Sequence, residues 1–362
     1  MALGSDAQER PAVAQASQKR PMVVHASNDA AEARIAIARE ASVAPALLSR
    51  LHREAEQLAN KFVEDAAAEQ RELRRTDPAI EPPTFSLTVE HRPRFVSRDL
   101  VSLLVVSEIF TGGAHGNLVF EGITYDIRRK RFVATQDILS GGGGWKENEA
   151  RLKVIARNKL RAKKRERLGG DYDAARDDIW LEDLALPVEA MTLLPSTERG
   201  KAGGIEFHFA PYLAGPYAEG PYRIEISSRE LEPMLAREWR DVFASEPIVL
   251  SHVSSAEGSK AAFVLIAAPQ PDSVVRPPVE LSGEAPDYFF EGDAIRAVIS
   301  QLNGQVLSEG RLQADRQRRP SGMALDMVPF SGRLAVPHGE GPVLIKLGNG
   351  DSVAFSVTIS RK

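Results

Sequence analysis

Histidine is the residue whose surroundings in this chain say most about chemistry. Seven are present, at 25, 52, 91, 115, 208, 252 and 338. None has a second histidine at the spacing that places two imidazoles on one helix face, so an HxxxH or HExxH zinc site has no support. His115 belongs to the run Gly112-Gly113-Ala114-His115-Gly116-Asn117. Adjacent glycines let a backbone turn sharply and approach another group more closely than a Cβ allows. With Asn117 beside it, His115 is a candidate binding residue at the exposed end of a sheet. The alternative is that the glycines form a bulge and His115 ties the turn to its own backbone. His208 lies between Phe207 and Phe209, so on a strand it points opposite to them. If both phenylalanines are core, His208 faces solvent or a groove, from which it could approach His115 across the sheet.

A second set of candidate residues is aromatic. Tyr212, Tyr217 and Tyr222 lie in and beside the loop Pro211 to Pro221, where Pro211, Pro216 and Pro221 limit φ and Gly215 and Gly220 permit turns. Rings on a stiffened loop offer contact area at small entropic cost, a composition suited to protein or sugar recognition. The competing expectation is that these rings pack the loop onto its own domain. Nine Lys/Arg between Arg151 and Arg167 form a basic stretch, followed by Asp171, Asp173, Asp177, Asp178, Glu182 and Asp183. A basic stripe suits an anionic polymer, but the acidic run favours local neutralisation, and no nucleic-acid partner is expected. Gly141 to Gly144 lacks the Gly-Lys-Ser/Thr ending of a phosphate loop and reads as a hinge. No G-x-S-x-G elbow and no polysaccharide deacetylase motif occurs, and no cofactor is implied.

The elements that must position these residues follow from pattern. With 362 residues, two or three domains are expected; 43% apolar and 27% charged residues suit a globular core, and the net charge is −4. Cysteine is absent, which removes disulfides, thiolate metal sites and cysteine nucleophiles. No window reaches the ~18 apolar residues of a membrane span. Residues 1–28 are expected to be a disordered lead-in or tag. Ala33 to Arg39 carries a short strand signal. Pro45 to Arg74 predicts a long amphipathic helix with Leu47, Leu48, Leu51, Leu58, Phe62 and Ala66 inward. Strands are predicted at 84–91, 100–110, 118–127, 130–134, 188–194, 204–209 and 222–226, with helices at 146–167 and 229–243, the latter capped by Ser228. This is an α+β domain, an antiparallel sheet with helices packed on it, at 29–245. A linker at 246–260 precedes an all-β immunoglobulin-like sandwich at 261–362, where Pro and Gly punctuate short strands.

The order of strand, GGAH turn, strand, Tyr125-Asp126-Ile127, Lys130-Arg131-Phe132, Asp137-Ile138-Leu139 and the run from Ile205 to Gly220 resembles a known family. It is the extracytoplasmic sensor domain of lysozyme-binding anti-sigma factors (RsiV-like), also found beside the catalytic part of PdaC-like peptidoglycan deacetylases. The resemblance covers about 30–245. Residues 261–360 resemble the Gmad-type immunoglobulin-like domain through Pro278 to Ala285, Phe289-Phe290-Glu291-Gly292, Asn303 to Leu307 and Val328-Pro329-Phe330. What these resemblances imply is a non-catalytic, periplasmic or otherwise extracytoplasmic envelope protein. Its expected ligand is a lysozyme-type hydrolase or peptidoglycan, with the tyrosine loop in the recognition surface. The chain departs from the anti-sigma factors in showing no sigma-binding segment and no apolar span. The alternative expectation is a peptidoglycan-processing hydrolase, or a deacetylase-associated enzyme, with a site near His115 and His208.

Overall fold

The structure, a computed structural model, describes residues 22–248, 251–254, 263–269, 273–301, 303–317, 327–336, 339–348 and 353–361. Among these, the strands form three sheets. The first has the order β1 (Met22–Ser27), β2 (Ala31–Ile37), β3 (Phe85–Val96), β4 (Leu100–Phe110), β5 (Asn117–Asp126), β6 (Arg131–Phe132). Residues 1–21 of the expected lead-in lie outside the described residues. The rest departs from that expectation, because Met22–Ser27 pairs antiparallel with β2.

The sheet is antiparallel apart from one pair. β2 and β3 run parallel, because the helix between them, α1 (Pro45–Thr76), returns the chain to the end where it began. α1 lays Leu47, Leu51, Ala55, Ala59, Val63 and Ala66 on the sheet. Of the six residues predicted inward, Leu47, Leu51 and Ala66 are buried and Leu48 and Phe62 partly so. Leu58 is 46% exposed. Alanines form much of the seam because a small side chain lets the helix axis approach the strands. The strand predicted at 84–91 continues to Val96, and its register shifts between Pro93 and Phe95. A proline is tolerated in a strand at such a bulge, where no ladder bond is lost.

The second sheet, β7 (Met191–Pro195), β8 (Ala202–Phe209), β9 (Tyr222–Ser227), covers the other face of the first. The backbones approach closely at Gly122, where a Cβ would stand 1.9 Å from the Met191 carbonyl oxygen. Ser102 on β4 bonds Thr124 on β5 at 3.0 Å and accepts from the Leu193 N–H at 3.0 Å, tying the two sheets. Against the outer face of this second sheet packs α2 (Trp145–Leu168), through Leu152, Ala156 and Leu160. The glycine run before α2 is no open hinge. Gly141 donates to the Met234 carbonyl, and a Cβ there would stand 2.0 Å from the Leu235 carbonyl oxygen.

The helix predicted at 229–243 is not formed. Ser227 caps one turn, Ser228–Leu231, through a capping box with Glu230. Pro233 then removes an N–H and obstructs the preceding turn, and the chain continues as the short 3-10 turns Glu232–Met234 and Arg237–Trp239. Leu231, Leu235, Trp239 and Phe243 are still buried in one core.

Ile248 donates to Pro195 and stays with the first unit, whereas β10 (Ser251–Ser254) already pairs with β11 (Phe263–Ala268). Of the expected linker, 249–250 and 255–260 lie outside the described residues. β10 and β11 join β12 (Val274–Val275), β13 (Val279–Pro286), β14 (Ala294–Gln301), β15 (Val306–Ala314), β16 (Met327–Leu334), β17 (Gly341–Leu347) and β18 (Val353–Ile359). Their order is β10-β11-β13-β16-β15-β14-β17-β18-β12. Among the described residues Gln313–Ser331 and Ala314–Phe330 pair β15 with β16, and the curled strands enclose a core that includes Leu281, Ile299, Phe330 and Ile345.

Candidate recognition surface

The β4–β5 turn and the β8–β9 loop meet. Gly112 opens the turn at φ +88°, a conformation that suits a residue without a Cβ. His115 lies exposed in that turn, and its Nδ1 stands 3.0 Å from the Gly116 carbonyl oxygen. The Tyr217 ring stacks on the imidazole with centroids 3.7 Å apart and planes inclined by 17°, while its hydroxyl donates to the same carbonyl at 3.1 Å. Tyr212 completes the group, 5.8 Å from Tyr217 and 6.5 Å from His115 between centroids. Its hydroxyl is 3.4 Å from His115 Nε2. One tautomer satisfies all of this: Nδ1–H donates to Gly116 and Nε2 accepts from Tyr212. The geometry matches the reading in which His115 ties its own turn, and the same ring lies against both tyrosines. Gly113 and Asn117 lie exposed beside it, and Asn117 starts β5 opposite Ile109.

The front of this plate is open to solvent: Tyr212 is 52% and Leu213 42% exposed. Tyr212 also adopts φ +72°, held there by its own N–H to Gly215 at 3.0 Å and by Leu213 N–H to Ala210 at 3.1 Å. A left-handed backbone costs a side-chain-bearing residue ~1–2 kcal/mol, and such strain tends to concentrate at functional positions.

The back of the loop is fastened to α2. Lys164, fully buried, donates to Glu219 Oε2 at 2.6 Å and to the Ala214 carbonyl at 3.0 Å. Tyr222 donates its hydroxyl to the same carboxylate oxygen. Arg167 lies 3.9 Å over the Tyr222 ring and donates to the carbonyls of Glu219 and Pro221. Tyr222 is therefore a buried anchor and does not join the exposed rings. Burial first, and then Glu219, push its phenol well above the ordinary range. The remaining basic residues of α2 are largely engaged as well: Arg161 with Asp178, Lys163 with Glu225 and Lys159 with Glu230.

His208 belongs to another place altogether. It is buried, not facing solvent or a groove, because β8 is covered on both faces, by the first sheet and by the α2 side core. Its Nε2 lies 3.1 Å from Glu206 Oε2 and 3.1 Å from Thr192 Oγ1, and its ring 5.8 Å from that of Phe120. Glu206 takes Arg94 of β3 at 2.5 Å, with Arg223 at 3.9 Å. Burial drives the Glu206 carboxyl upward, but Arg94, then His208 and Arg223, outweigh it and hold the group ionised far below its ordinary value. For His208 burial dominates over the pull of Glu206, so its pKa lies below 6.5 and the ring is neutral at neutral pH. Among the described residues His115 and His208 share no contact partner, and no carboxylate stands at ion-pair distance from His115. Among the described residues no contact joins His208 to His115. Glu206, Arg94, Thr192, Lys164 and Glu219 were not singled out in the sequence. Glu206 carried a readable signal, a charged residue two positions from His208 on the same strand face.

At the opposite end of the β4–β5 hairpin, Asp99, Asp126, Arg128, Glu238 and Asp241 surround a cleft of about 480 Å³. Asp126 is already taken by Arg129 at 3.1 Å and by its backbone N–H at 2.8 Å. Among the described residues no group of three or more potential ligands could hold a metal ion, and no helix is long and apolar enough to cross a membrane.

No family model and no curated protein matches the chain. Two solved structures are similar to it. A member of the DUF3298 family from Bacteroides fragilis is 18% identical, covers 60% of this chain and 93% of its own length, and has a TM-score of 0.42. A DUF3298 family protein from Pseudomonas aeruginosa is 18% identical, with 63% and 96% covered and a TM-score of 0.41.

Proposed function

We propose that this chain is a non-catalytic binding protein of the bacterial cell envelope, acting outside the cytoplasm, whose His115–Tyr212–Tyr217 plate recognises a lysozyme-type hydrolase. The observation that carries this reading is the meeting of the GGAH turn and the tyrosine loop in one aromatic surface, with His115 and Tyr212 exposed and Tyr217 half-buried. Neither the charged cleft at the far end of the hairpin nor the shallower one around Arg229 and Arg240 includes a plate ring. A protruding plate suits a partner that brings its own cleft. The sequence resemblance to an RsiV/PdaC-like domain points to the same ligand class. Residues 261–362 serve as a Gmad-type immunoglobulin-like spacer or second contact surface, a reading supported by the curled arrangement of their described strands around one core. The rival reading, a peptidoglycan-processing hydrolase or deacetylase-associated enzyme with a site near His115 and His208, has less support, because the two imidazoles have separate partners.

The test is Tyr217→Ala, with affinity measured for a c-type lysozyme and for soluble peptidoglycan fragments. Loss of about 2 kcal/mol or more of lysozyme binding is expected, the scale of an interface hot spot. Loss for the fragments alone would transfer the site to glycan. Unchanged affinity for both would remove the plate from recognition.

A further inference from the structure

Resting on the reading of the plate as a recognition surface, we infer that Lys164, which touches none of its three rings, is the positioning residue that holds it ready. The loop carrying Tyr212 and Tyr217 has proline and glycine at five places but no helix or strand longer than the turn Tyr217–Glu219 to stiffen it. What stiffens it is behind it. Lys164 crosses from α2 and binds two points of the loop at once, the Ala214 carbonyl and the Glu219 carboxylate. These two points bracket Tyr217 and stand on the C-terminal side of Tyr212.

Chemistry makes this the controlling contact. An ammonium offers several donors from one point, so a single side chain closes the loop onto itself as well as onto α2. At Gly215 a Cβ would stand 2.5 Å from Glu219 Oε2 and 2.9 Å from Lys164 Nζ, which shows how closely the loop wraps the ammonium. Tyr222 supplies a second donor to the same carboxylate oxygen, and Arg167 closes over its ring. The pair is desolvated, so removing one partner leaves a buried charge alone, whereas removing both charges does not. The other three tethers of the loop's end, at Glu219, Pro221 and Tyr222, reach only its C-terminal part. Lys164 alone, among the described residues of α2, bonds the middle of the loop at Ala214. A surface ordered before encounter loses less entropy on docking, so its affinity depends on a residue that no partner touches.

The experiment compares the wild type with Lys164→Met and with the charge-free pair Lys164→Met/Glu219→Gln, which tolerates the loss of the ammonium if the single variant misfolds. Amide hydrogen exchange is read over residues 210–221 and over the strands β7 to β9, together with c-type lysozyme binding. The inference expects exchange in the loop to rise at least tenfold in the double variant while the strands keep their protection. It also expects lysozyme affinity to fall at least fivefold with Tyr212 and Tyr217 unaltered. Loop protection equal to the wild type overturns the inference. Equal loss of protection in loop and strands also overturns it, because Lys164 would then be a general prop of the fold. A loosened loop with unchanged lysozyme affinity keeps Lys164 as the positioning residue and instead sinks the recognition role of the plate.

Discussion

Two histidines, each placed by a neighbouring pair of strands, end in opposite situations. His208 is enclosed between two sheets, neutral, and surrounded by Glu206, Thr192 and Phe120. His115 is exposed and carries two tyrosines. The difference comes from what covers each strand. β8 has a sheet on one face and a helical core on the other, so every side chain on it must be satisfied internally. The β4–β5 turn extends past the second sheet, and its side chains are free to present a surface. Polar residues in the first setting are satisfied within the fold, and those in the second remain at the surface.

The sharpest test of this contrast is at Glu206. Glu206→Ala removes a carboxylate partner of the fully buried Arg94 guanidinium and should cost about 3–5 kcal/mol of stability, measured by urea unfolding at pH 7. A cost near that of a surface substitution would place water, and not Glu206, opposite Arg94.

How far the sequence foretold this contrast depends on what each residue needed to know. The long helix was readable because proline at its start and a three-to-four-residue apolar rhythm are local properties. So were β4 and β5, whose limits match the prediction closely. The meeting of the GGAH turn with the tyrosine loop was not readable, since 101 residues separate Gly116 from Tyr217 and nothing local announces the pairing. His208 was misplaced for the same reason: alternation fixes which face it takes, but only the second sheet decides that the face is closed. The helix predicted at 229–243 failed for a local reason, Pro233, although its inward residues were correctly chosen.

A second, smaller effect is the pH dependence that buried His208 imposes on stability. A histidine held neutral in the fold, with its pKa below the unfolded value, contributes stability at neutral pH that is lost as pH falls below about 6.5, because the unfolded chain then binds the proton more readily. Glu206 adds a loss at lower pH, as the unfolded carboxyl protonates near its ordinary 4.5 while the folded one stays ionised. Melting temperature should therefore fall between pH 7 and pH 5, and His208→Gln should flatten part of that fall. His91, also held low by burial, adds to the same fall. An identical pH profile in His208→Gln would mean that its burial imposes no proton linkage.

The smallest effect has the opposite sign. Tyr212→Gly relieves the left-handed backbone and should raise stability by up to ~1 kcal/mol, while lysozyme affinity falls with the lost ring. A destabilised variant would show that the Tyr212 ring contributes more to the loop than its backbone costs.

The close approach at Gly122 has a mechanical consequence. From there to Asn117 the β5 strand runs on for roughly 17 Å at ~3.3 Å per residue, with the turn at its far end held by Tyr217. The hairpin is thus a beam propped at both ends: at one, backbone rests on backbone with no compressible side chain between, and at the other it is gripped by a ring stack. Such a beam passes a load along its length without absorbing it. A partner pulling on the plate loads the junction between the two sheets directly, and a substituent at Gly122, by prising the sheets apart, would shift the turn beneath its aromatic clasp from a distance.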